Sequence, residues 1–272
     1  MFERTNIVVV IPALNEALRI RGVVTDALAE CPNVIVIDDG SDDDTVERIA
    51  DLPITVLRHP QRMGKGASLR DGFAEALRRG FTGILTMDGD GQHAASDIPR
   101  LIDAGNRYPA HIVIGARLRK RSLQPRYRRW ANGFGDWGVA WGTGYRIADS
   151  QSGQRLYPAA VAALGDVPGD DFVFEAQILI SAARQLGVRC VSVPIEARYS
   201  CADSLEQFRV SHFKPWRDFR RITVHIVRQV LGHGGIWAVY RRIRANPALI
   251  DDPTGEFAPA GESQATAGMK LG

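Results

Sequence analysis

Two carboxylates one residue apart, Asp88 and Asp90, flank a single glycine in the stretch GILTMDGDGQHAASD, residues 83–97. Side chains of like charge on one tight turn repel each other unless a cation sits between them. Hard divalent ions such as Mg²⁺ and Mn²⁺ prefer oxygen ligands. Mg²⁺ commonly takes one or two carboxylates and draws its other ligands from water and substrate phosphates. An Asp-x-Asp turn at a strand end is therefore suited to the metal of a nucleoside diphosphate. The plainer reading is a solvated turn or a helix cap, because Asp-Gly pairs are frequent in turns.

Three more polar clusters interrupt apolar runs. Pro12-Ala13-Leu14-Asn15-Glu16 follows the run at residues 7–11, and Asp38-Asp39-Gly40-Ser41 follows the run at 34–37. The second cluster reads either as a turn with an N-cap or as an acid that accepts hydrogen bonds from a base or ribose. Met63-Gly64-Lys65-Gly66-Ala67 precedes a helical segment. There Lys65 and nearby backbone amides are placed to meet phosphate. The spacing is not that of the Gly-x-x-x-x-Gly-Lys-Ser/Thr loop, which argues against a P-loop kinase.

The elements that must position these residues alternate. β-Branched runs predict strands at 7–11, 34–37, 54–57, 83–87 and 111–115. Helical spacing covers 17–30, 42–50, 66–79 and 98–107. Five alternations with short connections predict an α/β fold with a mostly parallel sheet flanked by helices. Ligands of such sheets bind beyond the carboxyl ends of the strands, where the polar clusters fall. After about residue 118 the pattern loosens. A helix at 173–186, a strand at 189–195 and a helix at 218–231 are expected. The chain from residue 251 is Pro-, Gly-, Ala- and Thr-rich and reads as a disordered tail.

Composition sets outer bounds. The 272 residues carry a net charge of +3, with 45% hydrophobic and 24% charged residues, as expected of a globular α/β protein. Cys31, Cys190 and Cys201 are far apart and odd in number, so neither a zinc site nor a disulfide framework is expected. That usage and the absence of a signal-peptide pattern predict a cytoplasmic protein, free or peripheral on the cytoplasmic membrane face. No apolar run reaches the roughly 18 residues that a membrane span needs.

Taken in order, VVVIPALNE, VIVIDDGSDDDT, MGKGASLRDGF, LTMDGDGQH and DSQSGQRLY closely resemble the motifs of family 2 glycosyltransferases. The nearest branch is that of the dolichyl- and polyprenyl-phosphate mannose synthases. The resemblance covers roughly residues 5–199. It implies the GT-A (nucleotide-diphospho-sugar transferase) fold and an inverting transfer of a sugar from a nucleotide-sugar to an acceptor, with Mg²⁺ or Mn²⁺ as cofactor. Carried over by position, Pro12, Asn15, Glu16 and Asp39 line the nucleoside pocket, with Asp38 beside them and Lys65 near the nucleotide. Asp88, Asp90 and Gln92 hold the metal and diphosphate.

On the acceptor side, Asp149-Ser150-Gln151-Ser152-Gly153-Gln154-Arg155 matches a stretch of this branch, with Gln154 where Phe is usual. Arg117 and Arg155 are candidate phosphate contacts, since guanidinium groups match phosphate bidentately; surface charge is the alternative. Asp171 is a candidate base, although an N-cap explains it as well. A hydroxyl acceptor needs a base, whereas a phosphate acceptor is already an anion. The implied acceptor is lipid-linked, of the polyprenyl-phosphate type. The branch's Arg-x-x-Gly-x-Ser-Lys ending is replaced here by Arg198-Tyr199-Ser200-Cys201-Ala202-Asp203.

Residues 117–129 hold seven basic residues and no acids, and a basic amphipathic segment occupies 211–250. Either packs on the domain or lies on an anionic membrane. The expected organisation is a GT-A domain at 1–210, a C-terminal amphipathic helical extension at 211–250 and the tail at 251–272. Two other readings compete: a nucleotidyltransferase that releases pyrophosphate, and a nucleic-acid binder that uses the basic stretches. The modest net charge and the acidic strand ends disfavour the latter, so no nucleic-acid partner is expected.

Overall fold

A computed structural model describes residues 1–119, 126–167, 172–196 and 236–255. β1 (Ile7–Ala13) and β2 (Val34–Asp38) are β-branched runs with no polar alternation, and both are buried on two faces. Covering both faces of a strand with helices requires such continuous apolar runs. Between them runs α1 (Ile20–Glu30). There follow β3 (Thr55–Arg58), α2 (Lys65–Arg78), β4 (Gly83–Thr86), α3 (Ile98–Arg107) and β5 (Ile112–Arg119). The second half contributes α4 (Arg126–Thr143), β6 (Arg155–Pro158), α5 (Ala159–Ala162), α6 (Phe172–Gln185) and β7 (Cys190–Glu196). It closes with α7 (Ile236–Ala245) and β8 (Leu249–Ile250).

The strands form one sheet in the order β3-β2-β1-β4-β6-β5-β7-β8. β1 pairs in parallel with β2 and β4, and β2 with β3. β6 enters antiparallel between β4 and β5. Alternate residues of a strand face opposite sides, and β1 shows this directly. Ile7, Val9 and Ile11 pack with Ile20, Val24 and Ala27 of α1 and with Leu101 of α3. Val8 and Val10 pack with Leu69 and Phe73 of α2 and with Phe174 and Ile178 of α6. The parallel α/β architecture expected from the sequence is thus present, and the carboxyl ends of β1, β2 and β4 share one rim.

Several elements depart from expectation for physical reasons. The helix expected at 42–50 is only a 3-10 turn, Glu47–Ile49. Its would-be first turn is engaged elsewhere: the Asp43 carboxylate accepts from the Ala17 and Thr45 amides, and the Thr45 hydroxyl accepts from the Glu16 amide. Such side-chain-to-backbone bonds compete with helix. Leu249–Ile250, assigned from the sequence to an extension, adds an edge strand beside β7. Asp251, expected to begin a tail, is buried; its amide donates to the Ser192 carbonyl at 2.9 Å and its carboxylate pairs with Arg107. The helix expected at 218–231 lies outside the described residues.

Candidate active site

The three strand-end clusters converge because the loops that carry them are tied to one another. Asn15, at φ 56, adopts the left-handed conformation that Asn tolerates better than most residues. Its amide donates to the Ser41 hydroxyl at 2.9 Å, and its side-chain oxygen accepts from the Asp42 amide at 3.0 Å. The Glu16 amide reaches Thr45 at 2.8 Å. The β1 and β2 loops are thereby stitched into one wall, with Pro12 at its base against Gly89, where a Cβ would stand 3.2 Å from the Pro12 carbonyl oxygen.

Asp38 and Asp39 are both buried, and both are engaged by the protein. Asp38 accepts from the Ser41 amide and pairs with Arg58 at 3.2 Å. Asp39 accepts from the Met63 amide at 2.8 Å and the Gly64 amide at 2.9 Å, and it meets His59 at 2.8 Å. These acids hold the loop that leads into α2.

That loop delivers Lys65, the first residue of α2, to the acids of β4. Lys65 Nζ lies 2.7 Å from Asp88 Oδ1 and 3.2 Å from Glu175 Oε1 of α6. On the other side of Asp88, His93 Nε2 is 3.3 Å from Oδ2. Burial alone would lower the Lys65 ammonium; Asp88 and Glu175 outweigh it and hold the group well above the ordinary lysine range. Burial likewise opposes the Asp88 carboxylate, and Lys65 with His93 reverse this and hold Asp88 well below the usual carboxylate range. Asp90 moves the other way. Burial first, and then the Asp88 charge, push its carboxyl up. One Asp90 oxygen accepts from the Gln92 amide at 3.0 Å.

Gly153 seats Asp88. A Cβ at that position would stand 2.5 Å from Asp88 Oδ2 and 2.9 Å from Oδ1, closer than real contacts allow. The neighbouring Thr86 hydroxyl donates to the Gly153 carbonyl at 2.7 Å. Gln154, in place of the aromatic residue usual in the resembled motif, is fully buried and donates to the Ala94 carbonyl at 3.0 Å. It thereby ties the 149–155 loop to the segment that bears Gln92 and His93.

The two arginines part company. Arg117, at the end of β5, is held bidentately by Asp149, with Nε and Nη2 each 2.7 Å from a carboxylate oxygen. Asp149 sits at φ 55. Burial opposes its charge, and Arg117 overcomes this to lower its carboxyl. Arg155, expected to meet an acceptor phosphate, is corrected by the structure: its side chain is 1% exposed. Its guanidinium donates to the carbonyls of Ser152, Ser150 and Glu175 and to the Tyr157 hydroxyl. A guanidinium so enclosed braces the loop from within, its N–H groups donated to the protein's own oxygens. Asp171 lies outside the described residues. Glu175 and His93 were not singled out as site residues from the sequence. His93 falls three positions after Asp90 in the same motif, and Glu175 lies in the helix next to the expected base.

The donor set suits a hard divalent ion. Asp88 and Asp90 bring carboxylate oxygens to one turn, Gln92 follows in the same turn, and a cation, the Lys65 ammonium, stands against Asp88. Among the described residues no group of three or more His, Cys, Asp or Glu side chains is arranged to enclose an ion.

The family model for "Glycosyl transferase family 2" matches residues 8–157, more than half of the chain. The chain belongs to this family. Among its relatives, an undecaprenyl-phosphate mannosyltransferase of Micrococcus luteus is 30% identical over 70% of this chain and 82% of its own length. A UDP-N-acetylglucosamine–dolichyl-phosphate N-acetylglucosaminyltransferase of Methanococcus voltae is 29% identical over 56% and 68%, respectively. The resemblance to the dolichyl- and polyprenyl-phosphate branch is thereby supported. Among solved structures, glucosyl-3-phosphoglycerate synthase of Mycobacterium tuberculosis with Mn²⁺, UDP-glucose and phosphoglyceric acid superposes with a TM-score of 0.56 and 20% identity, covering 83% of this chain and 78% of that one. That likeness supports the GT-A fold of this family 2 glycosyltransferase.

Proposed function

We propose that this family 2 glycosyltransferase moves a sugar from a nucleoside-diphosphate donor to a polyprenyl-phosphate-type lipid acceptor, with a divalent ion held by Asp88, Asp90 and Gln92. The observation that carries the reading is the joining of Lys65, Asp88 and Glu175 at the carboxyl rim of the sheet, beside Asp90. Pro12, Asn15, Glu16, Asp38 and Asp39 build the wall against which the nucleoside rests. Lys65, already poised on an anion, faces the diphosphate. When bound, a divalent ion supplies charge stabilisation to the departing diphosphate. Lys65 adds a second fixed positive charge at the same place, and its orientation is set before the reaction by two carboxylates. Arg117, held by Asp149, is the guanidinium at the rim for the acceptor phosphate. Such an acceptor is its own nucleophile and needs no base, so Asp171 has a catalytic role only with a hydroxyl acceptor.

The test is a panel of UDP, GDP and CDP and their sugars, titrated calorimetrically with and without Mn²⁺ and followed by turnover with polyprenyl phosphate. One nucleotide is expected to bind tightly only with Mn²⁺, and Lys65→Met is expected to weaken it about tenfold, the equivalent of one charge-assisted hydrogen bond. Binding that is indifferent to Mn²⁺ would remove the metal from the account.

Contact with an anionic membrane belongs to the same reading. Among the described residues no helix is long and apolar enough to cross a membrane. α7 leaves Trp237 73% and Ile236 58% exposed, with Tyr240 and the exposed Arg241, Arg242 and Arg244 beside them. Aromatic groups with arginines suit the interface of an anionic bilayer, where each arginine contributes about 1 kcal/mol. Trp237→Ala with Tyr240→Ala is expected to reduce partitioning onto phosphatidylserine vesicles about tenfold in a pelleting assay. Unchanged pelleting would show that α7 does not carry the contact.

A further inference from the structure

His59, at the end of β3, is 6% exposed and takes no part in the chemistry described above. Its Nδ1 is 2.8 Å from Asp39 Oδ1, and its Nε2 is 2.9 Å from Asp71 Oδ2 on α2. An ionised carboxylate only accepts hydrogen bonds. Both ring nitrogens must therefore donate, and an imidazole with two N–H groups carries a positive charge. Between two ionised carboxylates the His59 ring is thus an imidazolium.

What the clamp holds matters more than the charge. Asp39 also accepts from the Met63 and Gly64 amides, the last two residues before Lys65. The His59 amide donates to the Asp38 carbonyl at 2.9 Å. Gly40, at φ +75, packs so closely on the same loop that a Cβ would stand 2.6 Å from the Gln61 carbonyl carbon. Residues 59–64 therefore form a short strap from the β2 acids to the N-terminus of α2. The ring is fastened on one side to Asp39 and on the other to Asp71 of α2.

We propose that His59 is a positioning residue of the donor site: its imidazolium ties Asp39 to α2 and so fixes the Met63–Gly64 amides and Lys65 where the donor diphosphate is to lie. The proposal rests on the reading that this site takes a nucleoside diphosphate. Among the described residues, the charged groups that face the ring are Asp39 from the end of β2 and Asp71 from α2; the neighbouring Arg58 is turned to Asp38. Burial opposes the ring's charge, and the two acids overcome it, raising the group above its ordinary value. A raised folded-state value means the clamp is intact at mildly acidic pH and is lost as pH climbs through that value.

Two arms test this on the full chain. In the first, ¹⁵N-histidine NMR without any ligand follows the His59 ring and the Met63, Gly64 and Lys65 amides against pH. The expected result is a ring protonated on both nitrogens, with a midpoint above about 6.5, the unperturbed value. The three amides should move with the same midpoint. Asp71→Asn, a change at a half-exposed side chain, should lower that midpoint. A ring with one bare nitrogen at mildly acidic pH, or amides that ignore its titration, would overturn the clamp. In the second arm, UDP, GDP and CDP are titrated with Mn²⁺ present. His59→Leu is expected to lose about tenfold in affinity, as for one charged hydrogen bond. His59→Asn keeps a donor towards Asp39 and should recover most of it. Wild-type affinity in His59→Leu would overturn the positioning role. If the wild type binds none of the three nucleotides, the functional reading fails, while the NMR arm still decides the clamp.

Discussion

Replacing Asp90 with Asn is expected to abolish nucleotide-sugar turnover while the protein stays folded. Asp90 stands beside Asp88 in a half-buried turn, where burial first and then the Asp88 charge push its carboxyl up. Asn has the shape of Asp and can still accept from the Gln92 amide, so the turn survives. The lost charge weakens the hold on a divalent ion and, through it, on the departing diphosphate. Removing one preorganised charge-stabilising group from a transition state commonly slows a reaction roughly 10²–10³-fold, and a loss of at least this size is expected in kcat/KM. Circular dichroism and the unfolding midpoint should match the wild type. Near-normal turnover in Asp90→Asn would remove Asp90 from the metal site.

The second large effect concerns a residue with no chemistry of its own. Gly153→Ala places a methyl 2.5 Å from Asp88 Oδ2. The backbone there is not in the left-handed region, so the strain is confined to the contact. Asp88 is pinned by Lys65 on one oxygen and by His93 on the other. It can yield to the methyl only by leaving both. Overpacking of this kind costs about 1–3 kcal/mol of stability, which a domain of ordinary stability survives. Positional errors of about 1 Å can cost 10²-fold in rate, and a loss of about that size is expected in turnover, together with weakened Mn²⁺ binding. Gly22→Ala is the control. Nothing lies within 4 Å of its would-be Cβ in α1, and glycine inside a helix is less favourable than alanine by about 0.5–1 kcal/mol. That variant should be as active as the wild type and slightly more stable. Equal activity in Gly153→Ala and Gly22→Ala would mean that the placement of Asp88 does not matter.

The strands that carry the site were legible because each is a continuous apolar run ended by an abrupt polar cluster. β1, β2 and β4 fall where the residue pattern puts them, and the rim they share follows from the parallel alternation. Three features were hidden. α4 contains Gly133, Gly135, Gly138 and Gly142 within its span, which blurs helical periodicity. Gly142 is there for packing, since a Cβ would stand 2.4 Å from the Ile180 side chain. β6 is only four residues long and includes a buried arginine, so it reads as a polar motif rather than a strand. Its antiparallel insertion between β4 and β5 is a tertiary choice that no local pattern encodes.

The candidate site divides in the same way. Residues within one motif, such as Asp88 and Asp90, could be singled out as candidates from their spacing. Partnerships across motifs could not. That Glu175 of α6 shares Lys65 with Asp88, or that Arg155 is enclosed by four oxygens, depends on how α6 and β6 pack. Arg155 also shows the limit of reasoning from residue type: a guanidinium suits a phosphate and a ring of carbonyls equally well.

In the proposed reaction, acids at the carboxyl rim hold one divalent ion against the donor diphosphate. Anomalous diffraction from crystals grown with Mn²⁺ and the nucleoside diphosphate that the panel selects tests this most directly. A single manganese peak between Asp88, Asp90 and Gln92, with diphosphate oxygens completing its shell and Lys65 turned to the phosphates, is the predicted result. A nucleotide bound in the cleft with no manganese at these side chains would contradict it.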